Sequence, residues 1–521
     1  MRVTNKILVN QALRDLQANS LRTMRFEQQI ATGQLIQRPS EDALLTNTSI
    51  NYQSTLERLE QYKRNVSTGK SFLGLADASL DEVDGILRRA RELGITMAND
   101  TNTPEIRASV AKEVDQILEQ VLQMGNRRFR GRYIFGGHNT NTQPFSITPD
   151  GVLYEGDDED IDLFLADLAR TRVNITGEDA FGGLSATITG TVDLDPRVNL
   201  VTGTATKLSD LNAGNGIASG SVRITYSGGT VDVDLSAAEN LGDVRDLIGD
   251  ATGGVLTVSA SPANGLRLTD GGGGPLAVQE VNNNTTARDL GILGSVPGNQ
   301  LDGLDLNPLV TAFTLASDLR NGGGFPIDTA NGMVITNGTT NYTVTAADMA
   351  GTVGDLLSAI NSAPGLNAVA QISADGQRLE LHSRLNGATL SVAENGGTSA
   401  ADLGILSAGV RADNVFTALI DLRDAMAADN QPGIVAAVAS IDSAYERLLD
   451  SRAEIGGRVN RLEMHELRLG DESMNIERLL SESLDVDYAE AIMGLQSAQT
   501  VLEAALRATA QILPLSLASF I

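Results

Sequence analysis

The stretch "ATGQLIQRPSEDALL", Ala31 to Leu45, separates two segments that both have the composition of long helices. It contains Gly33, which can end a helix in a left-handed conformation, and Pro39, whose ring cannot continue one. Ser40 can cap a following helix, and Asp42 then lies in its first turn, where a carboxylate is favourable. The stretch therefore predicts a short linker between two helices that point in different directions.

A long amphipathic pattern follows this linker. Apolar or small residues recur every seven positions, with a second row three residues further on, so that an a/d pattern is held over six heptads. The two rows are Tyr52, Leu59, Val66, Leu73, Leu80 and Leu87, and Thr55, Tyr62, Gly69, Ala76, Val83, Ala90 and Met97. We therefore predict one helix from about Asp42 to Asn99, roughly 85–90 Å long at 1.5 Å per residue. Thr103 before Pro104 predicts the start of a second helix that turns back along the first.

The C-terminal region mirrors this pattern. Its apolar stripe has the same seven-residue spacing, at Ile441, Leu448, Ile455, Leu462, Leu469 and Ile476. Such a stripe needs a partner to cover it, and the two extreme ends of the chain have no partner close by in sequence. Residues 1–40 are net basic and residues 475–521 net acidic, which favours their association. We predict one coaxial helical rod built from both termini; the alternative is a separate bundle at each end.

The middle of the chain, from about Gly177 to Gly409, is rich in Gly, Thr, Asn, Asp and Ser, with short β-branched runs. It also repeats itself: "SDLNAGNG", "LGDVRDLI" and "RDLGILG" recur as "SDLRNGGG", "VGDLLSAI" and "ADLGILS", 108 to 113 residues later. We predict two homologous β-rich units in tandem, each with a short helix. The predicted fold class is therefore α+β and multidomain, a long helical rod from both termini with a β-rich insert of two repeats.

Composition excludes several classes of function. The chain has 39 basic and 66 acidic residues, a net charge of −27, which is unsuited to a nucleic-acid partner. It has no Cys and therefore neither disulfides nor thiol chemistry. No apolar run reaches the ~20 residues of a membrane span, so we expect no membrane insertion. The N-terminus also lacks the pattern of a cleavable signal peptide.

No group of residues has the spacing of a catalytic, cofactor or metal site. The three histidines, His138, His382 and His465, are far apart in sequence, and none has zinc-ligand spacing. The acidic run "GDDEDID", from Gly156, differs in spacing from a calcium loop and is interpreted as a solvated turn. The basic run "RRFRGR", Arg127 to Arg132, is interpreted as pairing with acidic neighbours. We therefore predict that the protein is not an enzyme and needs neither a cofactor nor a metal.

With both ends helical and the middle β-rich, the chain resembles the bacterial flagellin family. The family's hallmark after the first terminal helix is "ISTG…PSDDAA", and it stands here as "IATGQLIQRPSEDALL", with Gly33, Pro39, Ser40 and Asp42 in place. The resemblance covers about residues 1–175 and 410–521. The central repeats resemble the family's "hook IN" modules.

A second stretch points to one branch of the family. "GRYIFGGHNTNTQPF", Gly131 to Phe145, is similar to the "YxFGG…PPF" signature of the family's hook–filament junction branch, which filament flagellins generally lack. The motif residues here are Phe135, Gly136, Gly137, Pro144 and Phe145. Phe135 and Phe145 are candidates for an exposed contact with a partner. The alternative is that they anchor their loop onto the rod.

The resemblance implies a structural role, as an adaptor layer that joins hook-associated protein 1 to the flagellin filament. The implied partners are further copies of the chain, hook-associated protein 1, flagellin and an export chaperone. The implied location is the flagellum, outside the cell, after export without a cleavable signal peptide. The alternatives are a filament flagellin, or a secreted adhesive or carbohydrate-binding protein.

The resemblance also implies a division into domains. Residues 1–40 and 475–521 would form a terminal helical assembly domain, and residues 41–176 and 410–474 a helical rod domain with a β-hairpin. Residues 177–300 and 301–409 would be the two β-rich repeats.

Overall fold

A computed structural model describes residues 2–166, 169–184, 186–282, 284–324, 332–349 and 351–517. Contacts divide the chain into two compact units. The first unit consists of Met1–Gly74, Asp162–Val173 and Gly456–Ile521, and the second of Leu75–Ile161 and Asn174–Ile455. Met1 and residues 518–521 of the predicted terminal domain, and residues 325–331 and 350 of the predicted second repeat, lie outside the described residues.

The helices confirm the predicted combination of long helical ends and a middle with only short helices. In chain order they are α1 (Arg2–Thr32), α2 (Ala43–Met97), α3 (Pro104–Gly125), α4 (Gly177–Phe181), α5 (Leu241–Ala251), α6 (Thr286–Asp289), α7 (Leu319–Gly322), α8 (Val353–Asn361), α9 (Ser399–Asp402), α10 (Val415–Ala427), α11 (Gln431–Leu484) and α12 (Tyr488–Leu517). In the described residues, no helix combines the length and apolar character that a membrane span requires.

Most positions of the heptad rows are buried, as the pattern predicts, and Tyr52, Thr55, Tyr62 and Ile476 are half-buried. Leu59, Val66, Leu73, Leu80 and Leu87 of α2 are buried, and so are Ala76, Val83, Ala90 and Met97 of its second row. On α11, Ile441, Leu448, Ile455, Leu462 and Leu469 are buried. The predicted start of α3 is also confirmed, because the Thr103 side chain accepts a hydrogen bond from the N–H of Ile106 and Pro104 opens the helix.

The linker after α1 differs from the prediction in one respect. Gly33 ends α1 as predicted, with a φ of +72° and an N–H that donates to the carbonyl oxygen of Gln29 (2.8 Å). The cap of α2, however, is Asp42 and not Ser40, because the Asp42 carboxylate accepts hydrogen bonds from the N–H groups of Leu44 and Leu45 (3.0 Å each). Ser40 lies in an exposed turn with Pro39. Ser and Asp are comparable caps, so the sequence did not distinguish between two candidates so close together.

Within the first unit, the interruption between α1 and α2 lies beside the interruption between α11 and α12. The linker residue Gln34 forms an antiparallel bridge with Asp485, which lies between α11 and α12. The N–H of Leu35 donates to the carbonyl oxygen of Leu484 (2.7 Å), and the N–H of Val486 donates to that of Gly33 (3.0 Å). The interruption at Gly33–Asp42 is therefore one half of a paired break, in which two helices end together and two begin.

The strands form small antiparallel sheets. In chain order they are β1 (Arg128–Phe129), β2 (Arg132–Tyr133), β3 (Phe145–Thr148), β4 (Gly151–Tyr154), β5 (Asp162–Phe164), β6 (Arg170–Arg172), β7 (Thr187–Thr189), β8 (Ser221–Tyr226), β9 (Gly229–Asp234), β10 (Leu256–Ala260), β11 (Leu266–Asp270), β12 (Leu276–Glu280), β13 (Gly294–Val296), β14 (Gln300–Asp302), β15 (Met333–Asn337), β16 (Thr340–Val344), β17 (Ala368–Ile372), β18 (Leu379–Ser383), β19 (Leu385–Asn386), β20 (Thr389–Glu394) and β21 (Ser407–Arg411).

The two repeats have the same plan. Each has a four-stranded sheet, in the order β13-β12-β8-β9 in the first repeat and β21-β20-β15-β16 in the second. Each also has a three-stranded sheet, β10-β11-β14 and β17-β18-β7 respectively. The helix of each begins with a capping box, Asn240 with Asp243 before α5 and Thr352 with Asp355 before α8. Two separate hydrophobic cores result, one for each repeat.

The second core also takes residues that precede the first repeat in sequence. Ile188 of β7 and Leu194 are buried in it, together with residues from Val310 to Ile405. The first core runs from Val198 to Leu306 without such a contribution. The first repeat is therefore nested inside the second, since the chain leaves the second core after Leu194 and returns to it at Val310.

Candidate assembly sites

The terminal helices α1 and α12 pack against each other within the first unit. Among the side chains of α12 that the structure describes, the buried ones are small, Ala491 and Ala498. Gly494 lies beside the Phe26 ring of α1, and a Cβ on this glycine would lie 2.7 Å from the ring. Small residues on one helix therefore allow the other to approach closely. The alternative of a separate bundle at each terminus is wrong.

Large apolar side chains remain exposed on the other faces of this helix pair. They are Ile7, Leu13, Leu21 and Met24 on α1, and Tyr488, Ile492, Met493, Val501 and Leu506 on α12. Leu21 is 67% exposed and Met493 is 64% exposed. Helices that bury one face in a monomer normally carry polar residues on the opposite face, so this distribution marks a surface for a protein partner.

A cluster of aromatic rings forms the second candidate site, within the second unit. Phe135, Phe145, Tyr154, Phe181 and Phe416 are all fully buried. The ring centroids of Phe145 lie 4.9 Å from Tyr154, 5.3 Å from Phe181 and 4.8 Å from Phe416. Aromatics are only 4% of the chain. Their concentration here makes the cluster a densely packed apolar anchor.

The backbone of the signature fits closely around this cluster. Gly137 has a φ of +64°, and a Cβ there would lie 2.0 Å from the Asp157 carboxylate. The Tyr154 hydroxyl accepts a hydrogen bond from the N–H of Gly177 (3.1 Å) and donates to the carbonyl oxygen of Asp157 (3.0 Å). Burial raises the pKa of Tyr154, so its phenol stays protonated as a donor. The glycines and the ring positions therefore depend on each other.

The signature residues thus lie together, but not as an exposed surface. Pro144 and Gly136 are buried with Phe135 and Phe145. The expectation of an exposed contact at Phe135 and Phe145 is wrong, and the alternative, that they anchor their loop, agrees with the structure. Tyr154, Phe181 and Phe416 were not singled out from the sequence. The scarcity of aromatics in the chain was the signal that could have grouped them.

The described residues contain no group of three or more His, Asp or Glu side chains arranged to hold a metal ion. His382 lies in the second repeat, where its Nδ1 is 2.8 Å from the Thr187 hydroxyl of β7. His138 is exposed, with its Nδ1 3.4 Å from the Glu159 carboxylate.

Both helical ends of the chain match the models of a known protein family. The model of the bacterial flagellin N-terminal helical region matches residues 3–140, and that of the flagellin C-terminal helical region matches residues 438–521. Over these two helical ends the chain is therefore similar to the bacterial flagellin family, as the resemblance implied.

Relatives of two kinds are similar to the chain. Flagellar hook-associated protein 3 of Escherichia coli (strain K12) is 26% identical over 28% of this chain and 46% of its own length. Flagellar hook-associated protein 3 of Salmonella typhimurium strain LT2 is 24% identical over 36% of this chain and 58% of its own length. The chain thus spans about half the length of these two relatives. Flagellin of Salmonella rubislaw is 24% identical over 93% of this chain and 92% of its own length.

Proposed function

We propose that this protein is a structural component of the bacterial flagellum, an adaptor layer that joins hook-associated protein 1 to the flagellin filament. The observation that carries the proposal is the row of large apolar side chains left exposed on α1 and α12. Fully burying such a side chain contributes roughly 1.5–3 kcal/mol, and covering one that is about half exposed contributes about half of that. Association with the corresponding helices of neighbouring subunits therefore draws on the whole row, against the several kcal/mol that association costs.

The signature "GRYIFGGHNTNTQPF" supports the junction role over that of a filament subunit. Its residues Phe135 and Phe145 belong to the aromatic cluster, and it is the stretch that resembles the junction branch of the family. The two relatives named hook-associated protein 3 support the same assignment. A junction subunit has different neighbours on its two sides, whereas a filament subunit repeats one heterologous contact. The proposed partners are further copies of the chain, hook-associated protein 1, flagellin and an export chaperone.

We further propose that the protein acts outside the cell, after export without a cleavable signal peptide. The proposed role requires no catalytic activity, cofactor, nucleic-acid partner or membrane insertion. Its net charge of −27 supports the part of this proposal that concerns nucleic acid, since phosphate binding needs a basic face.

The second candidate function is a filament flagellin. The match to Salmonella rubislaw flagellin over 93% of this chain favours it. A secreted adhesive or carbohydrate-binding protein is the third alternative, for which the central repeats would be the binding part.

A deletion strain tests the role directly. Cells without this protein should secrete flagellin monomers into the medium, because a filament cannot start on an incomplete junction. Normal filaments in such cells would contradict the junction role. Long filaments formed by the purified protein alone would also contradict it and would support a filament flagellin.

Point variants test the surface that carries the proposal. Leu21→Asp or Met493→Asp should block complementation of the deletion strain while leaving the helical signal of the purified protein unchanged. Gln28→Asp, at another exposed position of α1, is the matched control and should complement.

A further inference from the structure

A basic hairpin projects from a chain that is otherwise strongly acidic. Strands β1 and β2 pair through Arg128 with Tyr133 and Phe129 with Arg132. The turn between them has positive φ angles at Arg130 (49°) and Gly131 (86°), as a tight two-residue hairpin requires. Arg128, Arg130 and Arg132 are all exposed. The hairpin therefore presents three guanidinium groups on a short loop.

Aromatic rings hold two of these guanidinium groups in place. The Arg128 guanidinium lies over the Tyr133 ring, 4.1 Å from its centroid, and that of Arg130 lies 5.1 Å from the Phe129 ring centroid. Such stacking fixes the position of an arginine side chain and leaves its charge available for an ion pair with a carboxylate. The side chains are thus arranged before any acidic partner binds.

The prediction that this basic run pairs with acidic neighbours is right for only one of its arginines. Arg127 pairs with the Glu82 carboxylate (2.8 Å). In the part of the chain that the structure describes, Arg128, Arg130 and Arg132 make no ion pair with a carboxylate. Although the chain has 66 acidic residues, the hairpin therefore keeps three arginines free of ion pairs within the described residues.

An acidic loop of the same unit has no Lys or Arg partner among the described residues, and the nearest basic group to its Glu159 carboxylate is the exposed His138, whose Nδ1 lies 3.4 Å away. The Asp157 carboxylate is occupied by the N–H groups of His138 (2.7 Å) and Asn139 (3.1 Å). The next two residues, Asp158 and Glu159, are exposed, and among the described residues no Lys or Arg pairs with either. The chain therefore carries a basic hairpin and an acidic loop that do not satisfy each other within one copy.

We propose that the basic hairpin of one copy docks on the acidic loop, Asp158 and Glu159, of the neighbouring copy in the assembled layer. A contact between two different patches, repeated from copy to copy, satisfies every hairpin and every loop and propagates around a ring. Complementary charges of this kind select the partner and the register more than they add affinity. The inference rests on the proposed function, because it requires that the copies assemble side by side.

Engineered cysteines test the contact, and the absence of Cys from the natural chain removes any background. Copies with Arg132→Cys and copies with Asp158→Cys are expressed together in the deletion strain, and the assembled flagella are oxidised. A disulfide-linked dimer that needs both variants is the expected result. Arg288→Cys with Asp250→Cys, two exposed positions in the first repeat, is the matched control and should give none.

Charge reversal provides the second measurement. Arg130→Glu with Arg132→Glu, or Asp158→Arg with Glu159→Arg, should each weaken self-association about tenfold, with a stronger effect at low salt. All four changes in one chain should restore it. Circular dichroism checks that each variant is folded.

The outcomes separate this inference from the proposed function. Absence of the dimer in flagella that assemble normally, or no restoration in the fourfold variant, would overturn the docking while leaving the junction role intact. Failure of the wild-type protein itself to restore flagella to the deletion strain would overturn the proposed function.

Discussion

The two central repeats share one plan and differ in how far each depends on the rest of the chain. In the first repeat, the third strand of the small sheet is β14, which belongs to the repeat itself. In the second, the same place beside β18 is taken by β7, more than a hundred residues earlier in the sequence. A duplicated sequence pattern has therefore produced one self-contained module and one that is completed from outside.

The ends of the two modules differ in the same sense. Both ends of the first repeat meet at Asn264, whose side-chain oxygen accepts from the N–H of Val198 (2.9 Å) and whose carbonyl oxygen accepts from the N–H of Leu306 (3.3 Å). The second repeat is instead joined to the β3–β4 hairpin, because β19 pairs with β4 and the Asn386 side chain donates to the carbonyl oxygen of Val152 (3.0 Å). The first repeat is thus an insertion, and the second is part of the surrounding structure.

The largest expected effect comes from separating the two modules. A chain in which residues 198–306 are replaced by a short Gly-Ser linker should fold, because the ends that must be joined already lie side by side. A fragment of residues 198–306 should also unfold cooperatively by itself. The corresponding fragment of residues 308–411 should not, unless residues 186–197 are fused to it, because it lacks β7 and Leu194. Circular dichroism against temperature measures all four proteins; cooperative unfolding of the 308–411 fragment alone would remove the distinction.

The next effect concerns the anchor beside the second repeat. Phe145→Ala should cost about 3–5 kcal/mol, since it leaves a cavity among four other buried rings. Hydrogen exchange should increase in the β3–β4 hairpin and in α10, and remain unchanged in α5 of the first repeat. Ile147→Ala on the same strand is the control, because Ile147 is exposed and its loss should cost under about 0.5 kcal/mol. Equal effects on both repeats would mean that the first is not independent.

Two leucines at equivalent places provide a finer test. Leu194 and Leu306 stand in the related stretches "VDLDPRV" and "GLDLNPLV", and both are fully buried. Leu194 belongs to the second core although it precedes the first repeat, and Leu306 belongs to the first core although it leads into the second. Each change to Ala should therefore cost about 2–4 kcal/mol in a different repeat. Exchange in α8 should report Leu194→Ala, and exchange in α5 should report Leu306→Ala; the reverse assignment would contradict the nesting.

The sequence predicts elements better than it predicts which elements meet. The heptads fixed α2 to within two residues at each end, because long periodic burial leaves little freedom in helix type or phase. The two repeats were visible because the turn and helix motifs recur at nearly constant spacing. The nesting was not, because Thr187–Thr189 is too short and too polar a strand to reveal its partner. Strand pairing over such a separation depends on tertiary context and leaves no local pattern.

The candidate site shows the same division between local and distant information. The signature residues Gly136, Gly137 and Phe145 were found from their motif, but their burial was not. Phe181 and Phe416, which cover Phe145, come from remote parts of the chain. An aromatic residue in a loop is exposed or buried according to such remote partners, so the motif alone did not decide between a contact surface and an anchor.

The smallest expected effect distinguishes the two connections between the repeats. Asp195 and Asn307 occupy equivalent positions in them, so that one connection carries a carboxylate where the other carries an amide. Burial raises the pKa of Asp195 to about 6, and the nearby carboxylates of Asp305 and Asp193 add to this, against a hydrogen bond from the Asn264 amide that lowers it. The ordinary pKa of an aspartate is about 4, so the folded protein holds a proton that the unfolded chain has lost between about pH 4 and 6. Stability should therefore fall as the pH rises through this window.

Asp195→Asn makes the two connections alike and should remove that slope. At pH 7 we expect a gain of about 1–2 kcal/mol, because the amide keeps an acceptor for Asn264 but carries no charge into the buried junction. At pH 4 the variant and the wild-type protein should have nearly the same stability. Asn307→Asp, the reciprocal change, should instead add a carboxylate beside Asp305 and make stability fall more steeply as the pH rises. Denaturant unfolding at several pH values measures both variants. If Asp195→Asn left the pH dependence of the unfolding free energy unchanged, the Asp195 charge would have no effect on stability. The two connections would then differ in sequence but not in their contribution to stability.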